Sequence, residues 1–187
     1  MILSKALRIN LLALLYLFCA SATHAHSLPG SVVTLSEQAD QALSVSISFP
    51  LEDLLIAAPE LKALSQVDVD QKLSVKLLEE LAAYLQQHLF LQRAGEKLPI
   101  KAQQAEVDVV YNEHLGYFKS VFVTLLVSHK APEKWFPLQL SYDVIMHEIR
   151  NHRATVYWQE ADNSLTKLAN FGFKKSQGKP VVHRLNH

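Results

Sequence analysis

The sequence predicts an α+β domain that is mainly antiparallel β, with a sandwich-like sheet or sheets and one long amphipathic helix at about residues 71–91. Two observations predict this class. Apolar and polar residues alternate with a period of two both before and after the helix, as they do on half-buried strands. A parallel sheet would need helices between successive strands, and the pattern contains none.

The strands before the helix are predicted at Ser31–Leu35 and Leu43–Phe49. The second, LSVSISF, is the clearest in the chain because four apolar side chains fall on one face and three serines on the other. Pro50 ends this strand, since proline has no amide hydrogen to donate to the ladder. Leu51–Ala57 then predicts a short helical turn.

The long helix is predicted from leucines that recur every four residues, which places them on one helical face. They are Leu73, Leu77, Leu81 and Leu85. Asp68 and Asp70 precede them, and the sequence predicts that these carboxylates cap the free amides at the start of the helix.

After the helix the period returns to two. The strand Tyr117–Val127 has apolar residues on both faces, which predicts a central strand buried on both sides. Leu138–Met146 and Arg153–Gln159 predict two further strands, joined as a hairpin by the polar turn His147–His152. The polar, basic segment from about residue 174 predicts a loosely held tail.

The N-terminus predicts a cleaved secretory signal at residues 1–25. A positively charged start precedes the apolar run Leu11–Ala20, and small residues follow up to Ala25. We therefore expect one exported, periplasmic domain at residues 26–187. The only cysteine, Cys19, lies in the signal, so this domain is expected to fold without disulfides.

The charge of the exported part excludes one class of partner. Removal of the signal takes away Lys5 and Arg8 and no acidic residue, so the remaining chain is slightly acidic. A nucleic-acid partner is not expected, because no basic stripe is present. No apolar run long enough for a membrane span follows the signal, so the exported domain is expected to carry no span of its own. The expected partner is an envelope or membrane protein, bound through a sheet surface or an exposed edge.

His26 is the candidate metal ligand. After cleavage its free amine and imidazole together could chelate a borderline ion such as Cu or Ni. The alternative is that His26 has no role, since any signal cleaved before a histidine produces the same feature. A metalloprotease zinc site is not predicted, because HExxH is absent and His147 and His152 are five residues apart in a turn.

Asp143, His152 and Arg153 are candidates for a polar binding site near the predicted hairpin. The alternative is a solvated strand face with an ordinary cross-strand pair. Aromatic residues nearby could form a recognition surface, although in a domain without disulfides such residues more often belong to the core. They are Trp135, Phe136, Tyr157 and Trp158.

Several short segments carry a family resemblance. They are His26 directly after the signal, Phe49–Leu54 (FPLEDL), the acidic lead into a Leu-rich helix that ends in Ala83–Leu85 (AYL), and Leu140–Asp143 (LSYD) followed by His152 and Arg153. Together they resemble the extracytoplasmic N-terminal domain of HupE/UreJ-type membrane proteins, which are linked to hydrogenase and urease maturation and proposed to carry nickel or cobalt. The resemblance implies an exported domain that works with a membrane partner.

Two departures limit what the resemblance implies. Members of that family continue into a multi-span membrane region, whereas this sequence ends at His187, so transport is not carried over. Some relatives have a calcium-binding loop before the helix. Here Asp68 and Asp70 are followed by Lys72 without a glycine, and too few calcium ligands remain.

No catalytic residue is predicted, because a Gly-x-Ser-x-Gly motif and a glycine-rich phosphate loop are both absent. We therefore expect a non-enzymatic binding domain of the cell envelope. The alternatives are a periplasmic metal-binding accessory protein that uses His26, and a hydrolase whose site has no recognisable motif.

Overall fold

The computed structural model describes residues 29–39, 41–127, 134–176 and 179–187. The predicted signal and His26 lie outside these residues. The strands are β1 (Ser31–Glu37), β2 (Leu43–Pro50), β3 (Gln71–Lys72), β4 (Leu89–Arg93), β5 (Glu96–Leu98), β6 (Ile100–Asn112), β7 (Gly116–Val127), β8 (Leu138–Tyr142), β9 (Arg153–Gln159), β10 (Leu165–Gly172), β11 (Lys175–Ser176), β12 (Lys179–Pro180) and β13 (Val182–Leu185). The helices are α1 (Leu51–Ala57), a 3-10 helix (Pro59–Gln66) and α2 (Val75–His88).

The fold is α+β with mostly antiparallel sheets, as predicted. A seven-stranded sheet has the order β10-β9-β1-β2-β7-β6-β3, and a four-stranded sheet has the order β13-β8-β4-β5. β11 and β12 form a separate pair. Among the described pairs only β1 and β9 run parallel, with Ser31 opposite Ala154. This pair brings the first described strand beside the end of the loop that follows β8.

The two sheets and the helices bury their apolar faces in one core. The apolar face of β2 is buried as predicted, from Leu43 to Phe49. Leu81, Tyr84 and Leu85 of α2 join the same cluster. Burial of each large apolar side chain stabilises the fold by about 1.5–3 kcal/mol, and this energy holds the helices on the sheet.

The structure does not show a single long helix over 71–91. The described chain has three helical segments, and α2 covers only Val75–His88. Ser74 caps α2, because its hydroxyl accepts a hydrogen bond from the Leu77 amide at 3.4 Å. Asp70 does not cap it: its amide donates to the Val107 carbonyl at 3.0 Å, and the chain continues as β3 beside β6.

The predicted hairpin after residue 138 is wrong. β8 ends at Tyr142 and belongs to the four-stranded sheet, whereas β9 belongs to the seven-stranded sheet. The intervening residues form turns in which Val144, Ile145 and Met146 are fully buried. Alternating apolar residues indicate burial, and burial here occurs in a loop that crosses between sheets.

For the strand at Tyr117–Val127, the predicted central position is confirmed, whereas the predicted burial of both faces is not. β7 is central, since it pairs with β2 on one side and β6 on the other. Its inward face, including Val121 and Val123, is buried. The outward row is only half-buried by the described residues, so one apolar face stays partly open. This row is Phe118, Phe122 and Leu126.

The end of the chain, where a loose tail is expected, is paired into a sheet. β13 runs antiparallel to β8, with Leu185 opposite Leu138, and Leu185 is fully buried. None of the helices in the described ranges combines the length and hydropathy that a bilayer crossing requires.

His183 of β13 makes stability depend on pH. Its ring stacks on Phe171 at 3.7 Å between centroids, and desolvation together with Lys174 lowers the pKa of His183. Below pH 6.5, the ordinary pKa of histidine, the unfolded chain therefore binds more protons at this ring than the folded chain does. The ring's contribution to the free energy of unfolding is present above pH 6.5 and is lost as the pH falls toward the lowered pKa.

We expect His183→Gln to make the urea midpoint depend less on pH across this range. The control His114→Gln, at an exposed residue, should leave the pH dependence unchanged. A slope equal to wild type in His183→Gln would contradict the prediction.

Candidate functional site

A buried histidine links three distant parts of the chain. Nδ1 of His152 lies 2.8 Å from Oδ2 of Asp53. Nε2 of the same ring lies 2.8 Å from Oγ of Ser31 and 3.1 Å from the Ser31 amide nitrogen. The His152 side chain is fully buried, and that of Asp53 is 14% exposed. Both polar ends of the ring are therefore satisfied inside the protein.

Each of these side chains is placed by the start of an element. Ser31 begins β1, Asp53 lies in the first turn of α1, and His152 directly precedes β9. α1 begins immediately after Pro50, where β2 ends. Because β1 and β9 pair in parallel, Ser31 and His152 come together at the same end of the seven-stranded sheet.

The hydrogen bonds fix the tautomer of His152. A backbone amide can only donate, so Nε2 accepts from the Ser31 amide and carries no proton. Nδ1 therefore carries the proton and donates it to the Asp53 carboxylate. The ring is a neutral imidazole with a carboxylate on one side and a serine hydroxyl on the other.

This connectivity is that of an Asp–His–Ser triad, in which a carboxylate orients a histidine that serves as base for a hydroxyl. Ser31 is only 1% exposed, however. A substrate in solution cannot reach the hydroxyl unless the fold opens. The triad therefore lacks access for an external substrate in this conformation.

Tyr142 adds a second buried hydroxyl beside Ser31. Burial raises the pKa of Tyr142, and the neighbouring Ser31 hydroxyl offsets only part of that effect. Within the described ranges the Tyr142 hydroxyl has no partner at hydrogen-bond geometry. The region around Ser31 thus contains two buried hydroxyl groups.

A second cluster surrounds Asp143, which follows β8. Nδ1 of His88 lies 2.9 Å from Oδ1 of Asp143, and Nδ1 of His147 donates to the Asp143 carbonyl at 3.1 Å. The two imidazole rings stack at 3.9 Å between centroids. Tyr84 lies 4.8 Å from His88, centroid to centroid. Asp143 thus anchors both histidines through their Nδ1 atoms.

Tyr84 supports a strained turn below this cluster. Ile145 has φ of 66°, a left-handed conformation that is rare for a β-branched residue. Its amide donates to the Tyr84 hydroxyl at 2.9 Å. Burial raises the pKa of Tyr84, which stays protonated.

Tyr84→Phe is expected to lower the free energy of unfolding by about 1–3 kcal/mol, because it leaves the buried Ile145 amide without an acceptor. Urea denaturation measures this loss. Tyr111→Phe is the control: Tyr111 is 61% exposed, so its hydroxyl can be removed at little cost. Equal midpoints for the two variants would contradict the role of Tyr84.

The three predicted binding residues have different partners. Asp143 belongs to the cluster with His88 and His147, and His152 to the site with Ser31 and Asp53. Arg153 is exposed and donates to Oδ1 of Asn170 at 3.2 Å and 2.7 Å. The structure therefore does not bring these three side chains into one site.

No protein-family model matches this chain. No curated protein matches it significantly. The resemblance to HupE/UreJ-type membrane proteins stays a prediction.

Ser31 and Asp53 were not predicted as partners of His152. They lie 121 and 99 residues from it in sequence, and no local motif connects them. His88 lies in the last turn of α2, and no local motif connects it to Asp143. The one usable signal was the pair Asp53 and His152, both of which belong to the segments that carry the family resemblance.

The aromatic residues divide between core and surface. Trp135 and Trp158 are buried, at 3% and 7% exposure. Phe136 contacts Trp158 edge to face at 5.0 Å, and Tyr157 is half-buried on the outward face of β9. Two tyrosines that the sequence did not single out, Tyr111 and Tyr117, are the most exposed aromatic residues described.

Metal ligands are sparse in the described chain. Residues 29–39, 41–127, 134–176 and 179–187 contain no group of three or more His, Cys, Asp or Glu that could hold an ion. A metal site at His26 stays a prediction, since that residue lies outside these ranges.

Proposed function

We propose that this protein is an exported binding domain that docks onto a protein of the cell envelope through the tip of the β6–β7 hairpin. One observation carries the proposal. Tyr111 and Tyr117 lie opposite each other at the tip, exposed by 61% and 78%, with ring centroids 5.1 Å apart. Tyrosine is enriched in protein interfaces because it adds large contact area and a polar tip at low entropic cost.

The hairpin tip extends beyond the core. Pro50, the last residue of β2, pairs with Ser120, so β7 continues past the end of its neighbour. Val109 lies on the same face as the two tyrosines and is 40% exposed. The core therefore does not use this part of the hairpin, and its apolar side chains are free for a partner.

The other face of the hairpin is also apolar. Val110 and Phe118 line a groove of about 230 Å3, and Phe122 extends it along β7. Exposed apolar residues elsewhere, such as Ile56 and Leu165, are ordinary for a protein surface. The contiguous tip is the surface best suited to a protein partner.

Export and the envelope partner rest on the sequence. The predicted signal at residues 1–25 supports export, and the resemblance to HupE/UreJ-type proteins supports a membrane partner. Neither the predicted metal site nor a catalytic role is needed for this function.

Site-specific photocrosslinking tests the proposal. The photoreactive residue p-benzoylphenylalanine at Tyr117, in cells that make the full chain, should give one discrete adduct, identified by mass spectrometry. The matched control is Val75, which is 74% exposed at the start of α2. The nearby Leu73 amide donates to the Ala105 carbonyl, six residues along β6 from Tyr111, so Val75 is distant from the tip. Replacement of Tyr111 by Ser should weaken binding of the identified partner by about tenfold or more.

Equal adducts from Tyr117 and Val75, or none from either, would contradict docking through the hairpin. Tyr117 could also give an adduct with a partner whose affinity Tyr111→Ser leaves unchanged. That result would mean that the tip only lies near the partner, and it would also count against the proposal.

A further inference from the structure

The bond between Gly30 and Ser31 lies at the buried Asp53–His152 pair. Nε2 of His152 contacts both Oγ and the amide nitrogen of Ser31, at 2.8 Å and 3.1 Å. These two atoms are the nucleophile and the leaving nitrogen of one reaction, transfer of the Gly30 acyl group from nitrogen to oxygen. A single imidazole is thus in hydrogen-bond contact with both atoms between which a proton must move.

We propose that the chain cleaves itself between Gly30 and Ser31, with Ser31 as nucleophile and His152 as the catalytic acid and base. This inference is independent of the proposed docking function. It assigns the buried triad an internal substrate.

The chemistry balances with water as the only co-reactant. Oγ of Ser31 attacks the carbonyl carbon of Gly30, and His152 takes the hydroxyl proton on Nε2. The C–N bond breaks as His152 gives that proton to the Ser31 nitrogen, so an amine and an ester form. Water then hydrolyses the ester, which yields a carboxylate on Gly30 and restores the Ser31 hydroxyl.

Asp53 is the positioning residue. Its carboxylate accepts from Nδ1 and so keeps Nε2 unprotonated before the attack. The same carboxylate stabilises the imidazolium that forms in the transition state.

Burial of Ser31, which keeps external substrates out, does not oppose an intramolecular reaction. The acyl group belongs to the preceding residue and is already in place, so proximity replaces substrate entry. Gly30 is half-buried, and together with Pro29 it lines the groove of about 230 Å3 beside the hairpin. This groove gives water a path to the ester.

Gly30 itself suits the position. A Cβ there would overlap the backbone carbonyl oxygen of Arg153, so only glycine allows this close approach to β9. The absence of a side chain also leaves the Gly30 carbonyl carbon unhindered toward the neighbouring hydroxyl.

Intact-mass spectrometry of the exported full chain tests the proposal. We expect a species that begins at Ser31 and therefore lacks His26, and we expect Ser31→Ala to remain joined across Gly30–Ser31. Ser31→Cys should still be cleaved, because a thiol supports the same acyl shift. His152→Gln should slow cleavage by about 10²–10⁴-fold.

A refolding time course separates self-cleavage from a peptidase. Uncleaved protein is recovered unfolded from inclusion bodies in guanidinium chloride and diluted to refold, and the rate of cleavage should be independent of protein concentration. Hydroxylamine should accelerate it by trapping the ester. Wild type that stays whole after refolding, or Ser31→Ala cut at the same bond, would overturn the proposal. Circular dichroism of Ser31→Ala and Ser31→Cys checks that both variants are folded.

Discussion

Gly30→Ala is expected to lower the free energy of unfolding by about 3 kcal/mol, at the upper end of the range for overpacking a buried site. The added methyl group would overlap the Arg153 carbonyl oxygen, which is backbone and cannot rotate away. Relief requires β1 to shift against β9, and this is the one parallel pair among the described strands. Urea denaturation in the Ser31→Ala background, in which the bond between residues 30 and 31 stays intact, measures the loss.

Gly172→Ala is the matched control. Gly172 also lies beside Arg153, but a Cβ there would approach the flexible guanidinium only to 3.5 Å and the His152 carbonyl to 3.9 Å. These are ordinary contacts, so we expect a change within about 0.5 kcal/mol. Similar losses in both variants would show that the close approach of Gly30 to β9 is not what limits this position.

His152→Ala is expected to cost about 4 kcal/mol. The substitution removes a fully buried ring, leaves a cavity, and takes a hydrogen-bond partner from both Ser31 and Asp53. It also removes the hydrogen bonds that connect β1 and α1 to the start of β9. Thermal and urea unfolding should both report the change.

Asp53→Asn is the control for the assigned tautomer. An amide oxygen can still accept from Nδ1 of a neutral His152, so the loss should stay near about 1 kcal/mol. A loss as large as that of His152→Ala would mean that the ring carries a positive charge which needs the carboxylate. That result would contradict the neutral imidazole between Asp53 and Ser31.

The fold was predictable where the alternation of apolar and polar residues within one strand is enough to show which face is buried. The alternation in Leu43–Phe49 is sufficient to place β2, because period two fixes which side chains share a face. The prediction failed where the conformation of a segment depends on pairing with a strand that is distant in sequence. Leu89 continues a helical leucine pattern, yet it begins β4, since pairing with Tyr142 of β8 competes with another helical turn.

The candidate site was the least predictable part. Asp143 and His152 were identified, but the sequence placed them together, whereas the structure gives each its own cluster. Ile145 shows why: its φ of 66° turns the chain between two sheets, and apolar alternation carries no information on such a turn. Ser31 and Asp53 needed the parallel pairing of β1 with β9 before they could be assigned to His152.

The sequence by itself determined the class, a mainly antiparallel α+β domain around one apolar core, because side-chain periodicity and proline positions act within a few residues. Only the tertiary structure decided that β8 and β9 lie in different sheets, that Tyr111 and Tyr117 stay exposed, and that Ser31, Asp53 and His152 meet. The physical reason is distance along the chain. Pairings between strands a hundred residues apart depend on how whole faces fit together, and no local pattern encodes that fit.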